Sequence, residues 1–544
     1  MISANPRAPI PVNEPIKQYA PGSPEKAELK AALAKVGSEK IEIPVVIGGK
    51  EIRTGKTFEV RSPQEHHKVL ATVHSAGPAE VEHAIKVGLE AKKEWSALPV
   101  SERAAVMFKA AELLATKYRA TINAVTMWGQ GKTAYQAEID AACESIDFLR
   151  FNASYAQQIA DVQPISGPGV WNTSDYRPLD GFVFAVAPFN FTAIGLNLAA
   201  APALMGNAVL LKPAETASLS AYVMLKVLRE AGLPDGVINF LPGPGAPIGG
   251  AALASPDFGA LHFTGSTATF NAMWKQIGDQ LPKYKQYPRI VGETGGKDFI
   301  FVHPSAADDL DAVAVAIARG GYEYQGQKCS ACSRVYVPSS LWPALRDRLV
   351  PMIEGISMGP TTDFRNFMSA VIDDRSFIKI GRYLELAKGN DAKLLAGGKV
   401  DRTVGWYVRP TLVQVTNPRH QLMTEEIFGP VVSLFVYPDE QVAEAVKEVD
   451  QATPYALTGS IFARDAHSIV MLTNALRHAA GNFYINDKCT GAVVGQQPFG
   501  GGRASGTNDK AGSMWNLLRW TSPRTIKETF VPPTTLGYPF MGAE

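Results

Sequence analysis

The sequence predicts an α/β protein built around a mainly parallel sheet. Between residues 181 and 279, short apolar runs alternate with amphipathic helical patterns. Continuous apolar runs separated by helices are typical of a parallel sheet that is covered on both faces. Such architectures bind nucleotides, with the ligand at the carboxyl ends of the strands. The predicted strands are GFVFAVA (181–187), AVLLK (208–212), VINFLP (237–242) and ALHFT (260–264), with helices near 192–205, 216–231 and 266–279.

The rest of the 544-residue chain is too long to share that core, because single cores stop growing at roughly 250–300 residues. An extended N-terminal arm is expected to lead into a helix with Ser23 as N-cap and Pro24 in its first turn. Residues 78–160 carry three helical patterns, the second beginning at a predicted N-cap Ser101. A second α/β block runs from FIFVHP (299–304) to about residue 500.

Two segments fit neither block. Residues 161–180 are polar and rich in Pro and Gly, and the tail contains a further predicted strand in WNLLRWTSPRTIKETFV. The tail is too short to form a domain, so we expect its strand to pair with a segment outside its own domain.

Composition excludes several functions. Lys and Arg number 53 against 52 Asp and Glu, which gives no electrostatic reason to expect nucleic acid or an anionic membrane as a partner. No apolar run is long enough to span a bilayer. Four cysteines suit a reducing compartment rather than a disulfide scaffold. The first residues show neither a secretory nor a transit pattern, so we expect a cytoplasmic location in a bacterium, or the mitochondrial matrix for a processed eukaryotic chain.

The motif GQKCSACS (326–333) contains the first candidate for chemistry, Cys329. Gly326 permits a sharp approach and small residues surround the thiol, which favours a nucleophile. A redox or metal pair with Cys332 is a second interpretation, although such a redox pair usually opens a helix and zinc needs two more ligands. A buried structural cysteine is the third.

The motif GETGGKD (292–298) places Glu293 next to glycines, which leave its carboxylate free to reach a pocket. That arrangement suits a general base. Because glycine-flanked carboxylates more often form turns, both interpretations stay open at this point.

The motif APFNFT (187–192) places Asn190 after a predicted strand. Its amide suits the stabilisation of an oxyanion, a contribution worth about 3–4 kcal/mol in other enzymes. It equally suits an N-cap of the following helix, and the residues alone do not separate the two.

Signals for a cofactor are distributed along the first α/β block. Lys212 ends a strand in LLKPAE, and FTGST (263–267) joins a strand to a helix through a glycine turn that offers N–H groups to a phosphate. The glycines of PGPGAPIGG do not form the dinucleotide fingerprint G-x-G-x-x-G, which counts against a standard dinucleotide fold.

Taken in order, the motifs resemble those of the aldehyde dehydrogenase superfamily. PFNF, KPAE, FTGS, ETGGK, GQKC and EEIFGP all occur at suitable spacing. The resemblance implies an aldehyde dehydrogenase fold in which a variant Rossmann-like domain binds NAD, so the missing fingerprint is no objection. It implies Cys329 as nucleophile, Asn190 with the Cys329 N–H as oxyanion site and Glu293 as the base that activates water. The residues that it implies for the cofactor are Ala187, Lys212, Glu215, Gly265, Ser266, Glu426 and Phe428.

Further runs are similar to the superfamily members that oxidise glutamate γ-semialdehyde, the open form of 1-pyrroline-5-carboxylate, in the second step of proline catabolism. They include QGKTAYQAEIDAA, LRFNASYA, QGQKCSACSR, AAGNFYIND, VGQQPFGG and RASGTNDK. This resemblance implies that Glu144 meets the substrate ammonium and that Gly491, Ala492 and Ser330 hold its carboxylate. Phe191 and Phe499 would then enclose the aliphatic chain. Some relatives carry a hydroxyl residue at the position of Ala492.

The resemblance also implies that the chain is divided into two domains and an oligomerisation flap. An NAD-binding domain comprises residues 1–160 and 181–295, a catalytic domain residues 296–514, and an oligomerisation β-flap residues 161–180 and 515–540. Exposed strand edges in the flap predict a homodimer or a higher homo-oligomer, and Glu215 favours NAD over NADP by repelling a 2′-phosphate. No metal is expected. Two alternatives stay open: another semialdehyde dehydrogenase of the superfamily, or a binding protein on this fold that has lost catalysis.

Overall fold

The computed structural model describes residues 6–543, and helices and strands alternate along most of this part of the chain. The helices are α1 (Pro24–Ser38), α2 (Pro78–Ala97), α3 (Val100–Ala115), α4 (Arg119–Gln130), α5 (Ala134–Ala137), α6 (Ser145–Ala160), α7 (Thr192–Leu204), α8 (Ser218–Ala231), α9 (Gly245–Ala254), α10 (Thr267–Gln280), α11 (Leu310–Tyr322), α12 (Trp342–Glu354), α13 (Asp374–Leu386), α14 (Gln421–Thr424), α15 (Val442–Gln451), α16 (Ala466–Ala475) and α17 (Met514–Leu518).

The strands are β1 (Ile41–Ile43), β2 (Val45–Ile47), β3 (Lys50–Ile52), β4 (Thr57–Ser62), β5 (Glu65–His74), β6 (Val170–Pro178), β7 (Phe182–Val186), β8 (Ala208–Lys212), β9 (Ile238–Phe240), β10 (Phe258–Thr264), β11 (Arg289–Glu293), β12 (Asp298–Val302), β13 (Cys332–Pro338), β14 (Ala392–Ala396), β15 (Val400–Asp401), β16 (Tyr407–Val408), β17 (Thr411–Val415), β18 (Val431–Tyr437), β19 (Tyr455–Ala456), β20 (Thr458–Phe462), β21 (Asn482–Ile485), β22 (Gly502–Arg503) and β23 (Thr521–Thr529).

The first large sheet has seven strands in the order β11-β10-β7-β8-β9-β2-β3. The five strands β7 to β11 are parallel to one another, which confirms the predicted parallel sheet. The β2–β3 hairpin at the other edge lies where no strand was predicted. Each of its strands is only three residues long, too short to show a periodicity, although Gly48 and Gly49 between them both have positive φ and are a hairpin signal.

The second large sheet also has seven strands, in the order β14-β17-β18-β13-β12-β20-β21. All its neighbouring strands are parallel except β14, which pairs with β17 in the antiparallel sense. Apolar side chains from both faces of this sheet are buried under the helices, as a parallel sheet requires. Its extent, residues 298–485, agrees with the predicted second α/β block.

A two-stranded ribbon joins the two segments that fit neither block. The tail strand β23 pairs with β6 over nine residues, from Thr521 opposite Pro178 to Thr529 opposite Val170. The tail strand therefore pairs with a segment more than 340 residues earlier in the chain, and the assignment of both segments to an oligomerisation flap stays a prediction. Trp171 and Ile526 on this ribbon are exposed.

The helical region before the sheet departs from the sequence pattern at two points. Helix α1 begins as predicted, with the Ser23 hydroxyl accepting from the Lys26 N–H. Helix α3 instead begins at Val100 after Pro99, so the predicted N-cap Ser101 is wrong and lies inside the first turn. A π-helical segment, Glu138–Glu144, joins α5 to α6, and such segments frequently occur at functional sites. Among the helices of residues 6–543, none combines the length and the apolar character needed to cross a membrane.

Candidate active site

Cys329 lies in a tight turn between the two large sheets. Tyr324, Gln325 and Gly326 before it all have positive φ, and a Cβ on Gly326 would clash with the carbonyl of Gly429. The sharp approach predicted for Gly326 is confirmed. Cys332 opens strand β13 rather than a helix, unlike a redox pair. Across the described range 6–543, no group of three or more His, Cys, Asp or Glu residues could hold a metal ion.

Two buried glutamines hold this turn in place. The Gln325 side chain donates to the carbonyls of Gly131 at 3.0 Å and Ala370 at 2.7 Å, and accepts from the Ser369 N–H. Gln327 accepts from the Ile372 N–H at 2.8 Å. These contacts were not predicted, although two glutamines beside glycine in a run of small residues are a usable signal. They offset the backbone strain of the left-handed turn.

Asn190 points its amide at the same turn. Its Nδ2 donates to the carbonyl of Gln327 at 3.0 Å, and the side chain is buried. The N-cap interpretation of Asn190 is wrong, because Asp140 caps helix α7 by accepting from the N–H groups of Thr192 and Ala193, both at 3.0 Å. A primary amide has two N–H donors, so one is left for a developing oxyanion.

Glu293 ends strand β11 beside the cysteine turn. Its carboxylate accepts from the Gly501 N–H at 3.2 Å. Burial raises the pKa of Glu293 well above its ordinary value, although that bond and the Lys510 ammonium oppose the shift. A carboxyl group whose pKa is raised by burial suits a general base, and this role of Glu293 stays a prediction. The following glycines bring the loop close, since a Cβ on Gly296 would clash with the Cys329 carbonyl.

The environment of Cys329 disfavours its thiolate form. Burial raises its pKa well above the ordinary value, and the carboxylates of Asp298, Glu293 and Glu426 raise it further, while the Ser330 N–H lowers it. Because the thiolate is the nucleophile, a proton must leave before Cys329 can attack.

The cofactor residues predicted on the first sheet lie at its carboxyl edge. The Ala187 N–H donates to the Lys212 carbonyl at 3.0 Å, which brings the ends of β7 and β8 together. The Lys212 side chain is largely buried, and within residues 6–543 its ammonium forms no hydrogen bond or ion pair with a side chain or carbonyl. Burial lowers its pKa, and the charge of Glu215 opposes that shift. A buried ammonium without a protein partner is suited to polar groups of a ligand.

Gly265 and Ser266 form the predicted strand–glycine–helix turn. The Gly265 N–H donates to the Glu293 carbonyl at 3.2 Å, and the Ser266 hydroxyl caps helix α10 by accepting from the Thr269 N–H. The helix is 14 residues long and its amino end faces the strand edge, a geometry that favours an anion.

Glu426 and Phe428 connect that edge to the cysteine. Glu426 accepts from the Gly296 N–H at 2.9 Å, and the Phe428 ring packs edge-on against Phe189 at 5.8 Å between centroids. Glu426 and Phe428 line one pocket together with Cys329. The structure therefore brings the predicted nucleophile and two predicted cofactor residues together around one pocket.

Ser330 makes a contact that the sequence did not reveal. Its hydroxyl lies 2.7 Å from the hydroxyl of Thr490, and both side chains are buried. Thr490 precedes Gly491, which has φ of 99°, and Ala492. We call residues 490–497 the anchor loop. Thr490 supplies a hydroxyl in this loop two residues before Ala492, which has none.

Glu144 is the last residue of the π-helical segment and lies in a cluster of buried charges. Burial and the Asp140 carboxylate raise its pKa well above the ordinary value, while Lys132 and Lys328 lower it. The Glu144 side chain is half-buried rather than fully exposed, which counts against the solvated alternative, and its role in binding the substrate stays a prediction. Lys132, in the loop between α4 and α5, was not predicted as a site residue, although it lies in the run QGKTAYQAEIDAA.

Lys132 links this cluster to the predicted substrate-binding phenylalanine. It pairs with Asp140 at 2.6 Å and lies over the rings of Phe191 at 4.0 Å and Tyr324 at 4.5 Å. Phe191 is partly exposed, as is Phe499, which pairs through its backbone with Ala511. Both rings therefore remain available to a ligand.

Comparison with known proteins agrees with this geometry. The sequence model of the aldehyde dehydrogenase family matches residues 51–526. The mitochondrial delta-1-pyrroline-5-carboxylate dehydrogenase of Dictyostelium discoideum is 55% identical over 98% of this chain and 96% of its own. The human protein of the same name is 49% identical over 97% and 94%. The crystal structure of the delta-pyrroline-5-carboxylate dehydrogenase from Mycobacterium tuberculosis bound with NAD is 48% identical, covers 100% of both chains and superposes with a TM-score of 0.96. The chain belongs to the aldehyde dehydrogenase family.

Proposed function

We propose that this protein is an NAD-dependent L-glutamate γ-semialdehyde dehydrogenase. It oxidises the open form of 1-pyrroline-5-carboxylate to L-glutamate, the second step of proline catabolism. The observation that carries the proposal is the pairing of Ser330 with Thr490, which joins the nucleophile turn to the anchor loop. The reacting thiol and the groups suited to an α-carboxylate thus form one continuous site.

The chain's own residues account for an acyl-transfer sequence. Cys329, once deprotonated, adds to the aldehyde carbon, and the oxyanion is held by the free Asn190 N–H and the Cys329 backbone N–H. NAD, when bound, supplies the acceptor for the hydride that leaves the substrate carbon. A thioester on Cys329 results, and Glu293 removes a proton from the water that hydrolyses it.

The carboxyl edge of the first sheet fits NAD. The unpartnered Lys212 ammonium is suited to ribose hydroxyls, and Ala187 and Glu215 lie beside it. Gly265 and Ser266 at the start of α10 are suited to the pyrophosphate. Glu426 is suited to the second ribose, and Phe428 lies on the Cys329 side of the pocket, as a residue near the nicotinamide must.

The substrate end of the site is polar on two sides. We assign the ammonium to Glu144 and the carboxylate to Ser330, Gly491 and Ala492. Gly491 has positive φ, and its N–H and that of Ala492 form no hydrogen bond among residues 6–543, which suits a carboxylate. The raised pKa of Glu144 falls again when a cation binds, since an opposite charge favours the ionised form. Phe191 and Phe499 enclose the aliphatic chain.

The exposed apolar residues of the β6–β23 ribbon support self-association, and we propose at least a homodimer. Relatives such as those of Dictyostelium discoideum and human are named mitochondrial. We propose the mitochondrial matrix as the location if the source is eukaryotic, and the cytoplasm if it is bacterial.

Steady-state assays test the function. Glutamate γ-semialdehyde, succinic semialdehyde and acetaldehyde are each compared with NAD and with NADP. The expected result is the highest kcat/KM for glutamate γ-semialdehyde with NAD, by roughly two orders of magnitude, since unpaired buried polar groups penalise the other aldehydes. A higher kcat/KM for succinic semialdehyde would assign the chain to another semialdehyde dehydrogenase.

A further inference from the structure

The N-terminal arm, residues 6–22, crosses the active-site helices and reaches the anchor loop. Asn13 sits at the crossing. Its Nδ2 donates to the Asp147 carboxylate and to the Val494 carbonyl, both at 2.8 Å, and its Oδ1 accepts from the Gln496 side chain at 2.9 Å. The amide therefore uses both donors and its acceptor. One side chain bridges helix α6 and the anchor loop.

The two bridged elements are those that hold the two ends of the substrate's amino-acid group. Asp147 lies one helical turn after Glu144, and Val494 lies two residues after Ala492. The spacing between these elements is thus the spacing between the proposed ammonium site and the proposed carboxylate site.

Other arm contacts hold the start of the same helical segment. The Lys17 N–H and the Tyr19 hydroxyl both donate to the buried carboxylate of Glu138, at 2.9 Å and 2.6 Å. The Glu14 N–H donates to Asp147 at 2.7 Å. The arm is therefore fixed to both ends of the segment that carries Glu144.

Packing shows that the bridge is not an isolated contact. Val494 belongs to a small buried cluster with Phe148 and Phe151 of α6 and with Ala193. Gly495, with φ of 82°, has no room for a Cβ because the Phe151 ring occupies that space. The anchor loop and α6 meet closely at the point that Asn13 spans.

We propose that Asn13 is a positioning residue that sets the spacing between Glu144 and the anchor loop, and through it the affinity for an α-amino-acid aldehyde. This inference rests on the proposed function. A ligand with ammonium and carboxylate on one carbon requires both sites at a defined separation, and hydrogen bonds weaken steeply when that geometry changes. The binding of an aldehyde without these two groups does not depend on the separation.

The test compares Asn13→Ala with Gln18→Ala, a control on the same arm whose exposed side chain hydrogen-bonds only the Ile16 carbonyl among residues 6–543. Each is assayed with glutamate γ-semialdehyde and with propanal. For Asn13→Ala we expect KM for glutamate γ-semialdehyde to rise about tenfold with kcat within about twofold, and kcat/KM for propanal to stay within about twofold. Gln18→Ala should match the wild type throughout.

Gln496→Ala removes one bond of the bridge from an exposed side chain and serves if Asn13→Ala does not fold. It should raise KM for glutamate γ-semialdehyde about threefold in the same selective way. An unchanged KM, or equal losses for both aldehydes, would overturn the role of Asn13 while leaving the proposed function intact. A wild-type enzyme without preference for glutamate γ-semialdehyde over propanal would overturn both.

Discussion

The nucleophile turn and the cofactor edge of the first sheet differ in how their central polar side chains, Gln325 and Lys212, are paired. In the turn before Cys329, the Gln325 side chain makes three hydrogen bonds to the protein, although the Tyr324 hydroxyl and the Gln327 Nε2 have no partner among residues 6–543. At the cofactor edge, the buried Lys212 ammonium has no partner among residues 6–543. A reacting group must be held before the substrate arrives, whereas a binding group must keep its capacity for the ligand. The two regions should therefore respond differently to mutation.

The largest expected effect separates chemistry from binding at Cys329. Cys329→Ala should lower kcat by at least about 10³-fold, because the thiol forms the covalent bond, and should leave the Kd for NAD within about twofold. Steady-state kinetics and calorimetric NAD titration measure the two quantities. Cys332→Ala is the matched control and should retain most activity; an inactive Cys332 variant with an active Cys329 variant would reverse the assignment.

Glu293→Gln should produce the next largest effect, about 10²-fold on kcat, because the base acts on the hydrolytic water. Rapid mixing should show a burst of NADH followed by a slow steady state. If the burst and the steady state slow equally, Glu293 also acts on the Cys329 thiol, and its role is not limited to the hydrolytic water.

A matched pair of substitutions tests the comparison directly. Gln325→Leu should lower kcat by roughly 30-fold, since the turn loses three bonds, with little change in the Kd for NAD. Lys212→Met should raise the Kd for NAD by about tenfold with a smaller effect on kcat. Finding the two profiles exchanged would break the distinction between the regions.

Glu144→Ala sharpens the comparison on the substrate side. We expect kcat/KM for glutamate γ-semialdehyde to fall by about tenfold or more, a loss of roughly 1.4 kcal/mol or greater, because the ammonium loses its partner. Succinic semialdehyde, which has no amino group, should be affected far less. Equal losses with both substrates would assign Glu144 a structural role instead.

His262 should have the smallest effect on activity and a measurable effect on stability. It lies in β10, donates from Nδ1 to the Leu198 carbonyl at 2.9 Å, and burial lowers its pKa to about 3. In the native state the His262 imidazole stays neutral, whereas in the unfolded chain it binds a proton near pH 6.5. Its contribution to the free energy of unfolding is therefore complete above about pH 6.5 and decreases as the pH falls towards 3. Between pH 8 and pH 5 the loss is roughly 2 kcal/mol. His262→Gln should lessen that acid destabilisation in urea unfolding, and an unchanged pH dependence would contradict the assignment.

Local pattern by itself determined much of this protein. Strands β7, β8 and β10 and helices α7, α8 and α10 lie where apolar periodicity predicted them, because each is long enough to show its period and bounded by turn residues. The family motifs marked Cys329, Glu293 and Asn190, and the structure places all three around one turn. Their catalytic roles stay predictions that the variants above test.

Only the tertiary structure decided which distant residues complete the site. Asp140 rather than Asn190 caps α7, Thr490 meets Ser330 across 160 residues of chain, and Asn13 reaches Val494 across 481. The three-residue strands β2 and β3 and the π-helical segment likewise carry no clear period of their own. Short-range preferences act over a few neighbouring residues, whereas these contacts form only after two sheets and an N-terminal arm have packed together.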